Sequence, residues 1–195
     1  MVYSYEENYI KTRPQHLCKM CGRCCRVSTN NKYTYEEMKK MATDGNSYAQ
    51  DFLKIFEPYP SIEAARKVDA ATVDNIIEKL KADDCYVEEN LTFYKCRYIL
   101  DNNLCSIYEE RPKLCIVCPS SGWVVTPPGC GFEAWLFLKR EEDMQRVRQA
   151  KEELLDLKVM RTKTHDENIL KKIDSVENKI RNTIKMFSEK GSMYW

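Results

Sequence analysis

Cysteine is the residue type in this sequence with the clearest chemical potential, because thiolates bind soft metals and take part in redox reactions. The chain has ten cysteines, and four of them form the run Cys18-x-x-Cys21-x-x-Cys24-Cys25. A CxxC step lets two thiolates converge on one metal, and its repetition here is typical of runs that hold iron–sulfur clusters. Cys24 and Cys25 are adjacent and are expected to point apart, so one would serve a first site and the other a second site.

The remaining ligands must come from far along the chain. Cys115 and Cys118 form a second CxxC, and Cys130 lies between two glycines. Cys85 follows two aspartates and lies far from any CxxC, so we leave it out of the site. The candidate ligands are Cys18, Cys21, Cys24, Cys25, Cys96, Cys105, Cys115, Cys118 and Cys130. They are enough for two four-thiolate sites with one thiol left over, and a single site with several bystander thiols is the alternative.

The cofactor that best fits a cysteine-only ligand set with a compact CxxCxxC run is an iron–sulfur cluster, as one or two 4Fe–4S centres. Zinc is the alternative, because an all-thiolate tetrahedral zinc site is closed and structural. Local charge favours an anionic centre, since the segment between Ile10 and Tyr33 holds six basic residues and no acidic one. A solvated basic loop or an anion-binding strip is the other interpretation of these charges.

Three segments resemble one known family. LCKMCGRCC, YKCRYI and LCSIYEERPKLC, which begin at Leu17, Tyr94 and Leu104, resemble the pattern of the YkgJ-type cysteine cluster family, a CxxCxxCC domain associated with zinc or iron chelation. The resemblance covers residues 18 to about 118, and it implies that the family's metal ligands are Cys18, Cys21, Cys24, Cys25, Cys96, Cys105 and Cys115. The chain departs from the pattern at Ile116-Val117-Cys118-Pro119, which adds Cys118 as a candidate ligand.

Three functions are therefore open. The first is an iron–sulfur protein in electron transfer or in an accessory role, and the second is a zinc-stapled protein-interaction module. Some larger members of the family are flagellin lysine N-methylases, so the resemblance also implies a methylase-like enzyme that uses S-adenosylmethionine. No glycine-rich cofactor loop is visible, and whether the chain is an enzyme stays open. Arg111 could bond a cluster sulfur or carboxylate, or bind an anionic substrate, and Tyr108 is expected to pack.

Local signals predict the elements that must position these cysteines. Thr34 and Glu37 fit a capping box for a helix that breaks near residues 44–46 and resumes to Phe56. A further helix is expected over about 72–81 and a short one after Arg111-Pro112, with a loop over 119–131. Residues 91–99 and 104–108, joined by an Asp-Asn-Asn turn, predict a β-hairpin that would place Cys96 opposite Cys105.

The end of the chain contains no cysteine and reads as two amphipathic helices. The composition of residues 133–160 favours a helix, and Thr164 with Glu167 suggests a second capping box. The apolar residues from Ile169 to Phe187 are spaced four and three positions apart in turn, which is a heptad seam. A short connection between such helices predicts an antiparallel αα-hairpin. The seam would pack the hairpin on itself or on the core, or would serve as an arm for self-association or a protein partner.

The predicted fold class is α+β: a small cysteine-rich metal-binding domain of helices and one β-hairpin over residues 1–131, followed by a helical hairpin or coiled-coil tail over 132–195. The net charge of +1 argues against nucleic acid as a partner. The sequence has neither a long apolar run nor an export signal, so we expect a cytoplasmic protein away from the membrane. A reducing compartment also favours metal ligation over disulfides for the cysteines.

Overall fold

The computed structural model describes residues 13–30, 32–82, 86–119 and 122–188, with residues 186–188 described by their backbone alone. The chain divides into two compact units, the first ending at Leu136 and the second beginning at Phe137. The helices are α1 (Arg23–Arg26), α2 (Tyr35–Thr43), α3 (Ser47–Ile55), α4 (Ile62–Ala82), α5 (Lys113–Val117), α6 (Glu133–Thr162) and α7 (Glu167–Ser188). The strands are β1 (Ser28–Asn30), β2 (Phe56–Pro58) and β3 (Thr92–Cys96). The predicted α+β class is confirmed.

The sheet has the order β1-β3-β2, and both pairings with the central strand β3 are antiparallel. Ser28 is opposite Tyr94 in one pair, and Phe56 is opposite Cys96 in the other. The predicted hairpin is reduced to a tight reversal with one bridge between Ile99 and Cys105. The reason is that β3 finds both of its neighbours in segments far away along the chain, which local patterning does not reveal.

The two faces of β3 belong to two hydrophobic clusters, as expected from the alternation of side chains along a strand. Phe93 packs in the cluster that includes Val73 and Leu80 of α4. Tyr94 lies on the opposite face, where its ring meets the Phe52 ring edge-on at 4.9 Å. Helices therefore cover both faces of this small sheet, and Cys96 at the end of β3 belongs to the second cluster.

The helices around the sheet begin largely where local signals predict. The capping box of Thr34 and Glu37 starts α2, and the side chain of Asn46 accepts a hydrogen bond from Ala49 N at the start of α3. The helix α4 begins at Ile62, ten residues before the predicted start, and Asp69 interrupts its helical backbone. None of the described helices is long and apolar enough to cross a membrane.

The second unit consists of the rest of α6 together with α7, and these helices are in contact as the predicted pair. Arg161 of α6 lies 2.7 Å from Asp174 of α7. The predicted capping box at Thr164 is wrong, because the Asp166 side chain accepts the hydrogen bonds from the first backbone N–H groups of α7. In the heptad seam Ile173 is buried, whereas Ile169 is 43% exposed.

Candidate metal centre

A cavity of about 380 Å³ in the first unit is bordered by all of the cysteines that the sequence predicts as ligands. These are Cys18, Cys21, Cys24, Cys25, Cys96, Cys105, Cys115, Cys118 and Cys130. All nine are free thiols rather than disulfides. The tenth cysteine, Cys85, lies outside the described residues. The fold thus brings together thiols from four separate stretches of sequence.

The one-turn helix α1 carries Cys24 and Cys25 into the wall of this cavity. Gly22 caps it in the left-handed region, with φ 72°. A Cβ at Gly22 would lie 2.8 Å from the Cβ of Asn103, so only glycine fits this turn without displacing its neighbour. Successive residues on a helix differ by roughly 100° in direction, so the two side chains leave α1 in different directions, although their thiols remain close enough for a hydrogen bond.

One side of α1 is joined to the loop that precedes Cys105. Arg26 donates from Nε to the side-chain oxygen of Asn103 at 2.8 Å. The Nη2 atom of Arg26 donates to the carbonyl oxygens of Leu100 and Asp101 at 3.2 and 3.1 Å. These bonds hold the 100–105 reversal against α1, so Cys105 reaches the cavity although its predicted strand does not form.

The cysteine run is joined to a second loop, which holds Cys130. Arg23 donates to the carbonyl oxygen of Pro128 at 2.6 Å, and Lys19 donates to that of Gly129 at 3.1 Å. At Gly131 a Cβ would overlap the carbonyl oxygen of Leu17, so this loop can approach the run only with glycine there. Of the two glycines that flank Cys130, Gly131 is therefore required for this loop to pack against the run.

Three further ligand candidates lie on β3 and at α5. Cys96 ends β3 in the buried second cluster, where its sulfur accepts a hydrogen bond from Tyr98 N at 3.4 Å. Cys115 lies on α5, whose N-cap is Pro112, and it packs against the same cluster. Proline suits this position because its fixed φ matches the start of a helix. Cys118 is the C-cap residue of α5.

Burial disfavours the ionised form of most of these thiols and so raises their pKa values. It raises the pKa of Cys96 to about 11 and that of Cys115 to about 12, and it also raises the pKa values of Cys118 and Cys130. The Cys24 thiol donates to Cys25, and this bond, together with burial, raises its pKa. Metal binding must therefore displace protons, as it does at thiolate sites in general.

Few cationic side chains border the cavity, and not all six basic residues between positions 11 and 32 are among them. Arg23 and Arg26 bind loops, and Arg23 also pairs with Asp69. Arg111 stacks on the Tyr108 ring at 3.8 Å and donates to the carbonyl oxygen of the same residue at 2.9 Å. After the hydrogen bond from Cys24, the charge of Arg111 is the next influence that lowers the pKa of Cys25. Arg111 is thus held structurally while its charge acts on a cavity thiol.

Apolar side chains complete the wall and were not recognised from the sequence. Phe56, Ile99 and Phe132 border the cavity, and Arg13 lies over the Phe132 ring at 5.4 Å. Phe132 follows the Gly-Cys-Gly segment, and that position next to a ligand loop was the available signal. These side chains keep water from one side of the thiols.

The donor set fits a thiophilic metal or an iron–sulfur cluster, because soft sulfur ligands select zinc, copper(I) or iron–sulfur centres. The nine sulfurs border a cavity of a size that holds small ligands and cofactors. Among the described residues, no group of three His, Cys, Asp or Glu side chains is arranged so that it could hold a single metal ion. The side chains of Arg111, Lys19 and Arg13 also border the cavity and place positive charge beside the thiols.

The model of the CxxCxxCC family, described as a "putative zinc- or iron-chelating domain", matches residues 17–145. This match covers more than half of the chain and contains every cavity cysteine. It extends past the last cysteine into α6. No curated protein and no solved structure matches the chain.

Proposed function

The chain belongs to the CxxCxxCC family of zinc- or iron-chelating domains, and from this premise we propose that it carries an iron–sulfur cofactor and acts in electron transfer. The observation that carries the proposal is the single cavity of about 380 Å³ bordered by nine cysteine thiols. Cysteine-only ligation by a compact CxxCxxC run, completed by distant cysteines, is the usual way in which proteins hold such clusters.

The size of the cavity favours a cluster over zinc. A tetrahedral zinc ion has its four sulfurs about 2.3 Å away, which places them about 3.8 Å from one another. Such a site closes around the ion and leaves no space. A cavity of about 380 Å³ fits a larger inorganic group, since single ions do not need so much room.

An iron–sulfur cluster, when bound, takes up and releases single electrons at a potential set by its surroundings. The residues of this chain would set that potential. The thiols provide the ligands, and the Tyr98 amide donates to the sulfur of Cys96. Phe56 and Phe132 exclude water, and Arg111 places a positive charge beside the Cys25 thiol. Charge and hydrogen bonds at sulfur stabilise the reduced form, whereas burial opposes any added negative charge.

The test is metal and sulfide analysis of the full chain purified without oxygen. We expect iron and acid-labile sulfide in equal amounts, a brown colour that bleaches with dithionite, and an electron paramagnetic resonance signal from the one-electron-reduced protein. Colourless protein with stoichiometric zinc and no sulfide would overturn the proposal in favour of a zinc-stapled interaction module. Heat released on titration with S-adenosylmethionine would instead indicate the methylase-like alternative.

A further inference from the structure

The arrangement of thiols around the cavity separates into two groups, and the division starts at α1. Cys24 and Cys25 are consecutive on this one-turn helix, so their side chains leave it about 100° apart. The same helix is bound to the 100–105 loop through Arg26 and to the 126–131 loop through Arg23. Each of these loops brings one distant cysteine to the cavity, and Cys25 packs against the hydrophobic cluster of Phe52 and Tyr94 whereas Cys24 does not.

The first group gathers at the end of β3. Cys25, Cys96 and Cys115 all pack in or against the hydrophobic cluster of Phe52 and Tyr94. Cys105 joins them through its bridge to Ile99, a residue packed against the same cluster. After burial, the charges that raise the pKa of Cys115 are those of the other three thiols in this group.

The second group gathers where the cysteine run meets the 126–131 loop. Cys18 and Cys21 lie on the run, and Cys130 lies on the loop that Lys19 and Arg23 hold against it. After burial, the thiol charges that raise the pKa of Cys130 are those of Cys21 and Cys18. Cys24 continues the same run, three residues after Cys21. None of these four belongs to the hydrophobic cluster of the first group.

Cys118 belongs to neither group. It is the C-cap residue of α5, and it neither packs in the hydrophobic cluster of the first group nor lies on the cysteine run or the 126–131 loop of the second.

From this geometry we propose that the cavity holds two four-thiolate centres rather than one. The ligands of the first are Cys25, Cys96, Cys105 and Cys115, and those of the second are Cys18, Cys21, Cys24 and Cys130, with Cys118 as a non-ligand. The inference rests on the proposed function for the identity of the cofactor, but the division of the thiols does not depend on it. An iron–sulfur cluster held by either set would supply one-electron transfer between a one-electron reductant and a one-electron oxidant, with no bond made or broken in the chain.

The first measurement needs no variant. Two 4Fe–4S clusters amount to about eight iron and eight sulfide per chain, whereas one cluster amounts to about four of each. In the fully reduced full-length protein, two clusters in one cavity are expected to give a spin-coupled electron paramagnetic resonance spectrum. Four irons per chain with an uncoupled spectrum would overturn the proposal.

Variants test the assignment of ligands. Cys105→Ser and Cys130→Ser should each halve the iron content, because each removes one ligand from a different centre. The double variant Cys105→Ser/Cys115→Ser should still hold about four irons, whereas Cys105→Ser/Cys130→Ser should hold almost none. Equal iron contents in the two double variants would contradict the division. The proposal requires that two substitutions within one set remove one centre, and that two substitutions in different sets remove both.

Control variants come from the two cysteines left out. Cys118→Ser and Cys85→Ser should keep the full iron content, and a halved content in Cys118→Ser would overturn its assignment. Far-ultraviolet circular dichroism of every variant separates loss of a ligand from loss of the fold. If the protein instead binds two zinc ions and each single variant loses one, the division of thiols stands while the iron–sulfur function fails. If one cluster is found, the function stands and the division fails.

Discussion

At the scale of single residues, Arg23 connects three distant parts of the first unit. Its guanidinium forms two hydrogen bonds with Asp69, at 2.7 and 2.8 Å, and a third with the carbonyl oxygen of Pro128. The bond from Arg23 is the largest influence that lowers the pKa of Asp69 to about 2, and Thr72 also donates to this carboxylate. The interruption of α4 at Asp69 therefore orients a carboxylate toward the cysteine run.

We expect Asp69→Asn to reduce stability in a way that depends on pH. The pKa of Asp69 is lower in the folded chain than in the unfolded one, so its contribution is complete above about pH 4 and is lost as the pH falls towards about 2. With the solvent exposure of Arg23 taken into account, the cost at neutral pH is about 1–2 kcal/mol. Urea unfolding of both proteins at several pH values measures this difference.

The matched control is Asp74→Asn, which removes the carboxylate of the exposed pair with Arg66. It should change the free energy of unfolding by less than about 0.5 kcal/mol. A difference between Asp69→Asn and the wild type that is as large at pH 2 as at pH 7 would contradict the role assigned to the charge. Because the variant and the wild type are compared at the same pH, any effect of acid on bound metal acts on both proteins and does not contribute to the difference in their free energies of unfolding.

Arg111 is expected to tune the potential of an iron–sulfur cluster bound in the cavity. Arg111→Gln removes a positive charge that acts on Cys25, so it should shift a midpoint potential to more negative values. The expected shift is on the order of 60 mV, which corresponds to about 1.4 kcal/mol for one electron. Potentiometric titration followed by electron paramagnetic resonance measures it. Arg111→Lys keeps the charge but not the stacking on Tyr108, and equal shifts in the two variants would show that charge is not the cause.

At the scale of elements, α1 is the shortest of the seven α-helices in the described part of the chain, and it carries two of the cavity cysteines. It has only four residues, so it cannot be stable by itself, and it depends on the loops bound to Arg23 and Arg26. Its start at Gly22 combines a left-handed backbone with close approach to Asn103. Both requirements exclude a side chain.

Gly22→Ala should therefore destabilise the fold and lower the metal content. The left-handed backbone alone costs about 1 kcal/mol for alanine, and the overlap with Asn103 adds at least about 1 kcal/mol more. Gly45→Ala is the control, because Gly45 has φ 88° but has nothing within 4 Å of an added Cβ. Denaturant unfolding and metal analysis of the two variants separate the two effects. Equal losses of stability would mean that the approach to Asn103 has no role.

At the scale of the whole molecule, we expect metal binding and folding of the first unit to be coupled. Lys19 and Gly129, whose hydrogen bond joins the run to the Cys130 loop, are 110 positions apart. Closing such loops costs conformational entropy, which bound metal would offset because it binds the folded arrangement and not the unfolded chain. The two hydrophobic clusters around β3 consist mostly of apolar side chains, whose burial stabilises the fold independently of metal.

We expect removal of the metal to lower the melting temperature while leaving most of the helical signal intact at room temperature. A ligand present at 100 to 1,000 times its dissociation constant stabilises the folded chain by about 3–4 kcal/mol, and this contribution disappears on stripping. Circular dichroism during heating, before and after anaerobic chelation, is the measurement. A control sample carried through the same steps without chelator should melt like the untreated protein. Equal melting temperatures of loaded and stripped chains would contradict the coupling.

Much of the local structure could be predicted because its causes are local. The capping box of Thr34 and Glu37 involves residues three positions apart, so the pattern and the hydrogen bonds coincide. The partners of β3 could not be predicted in this way, since they lie in residues 28–30 and 56–58. Asp166 was overlooked as the cap of α7 because Thr164 and Asp166 both suit that position and only the path of the chain distinguishes them.

By itself, the sequence determined which residues could carry the chemistry. The spacing of Cys18, Cys21, Cys24 and Cys25 is a property of a short segment, and the preference of a thiolate for soft metals is a property of the side chain itself. Only the tertiary structure decided which distant thiols become neighbours, because that depends on side chains such as Arg23 and Arg26, which bind loops 105 and 74 positions away. Contacts of this kind leave no periodic signal, since they are made by single residues whose partners are backbone carbonyls of any sequence.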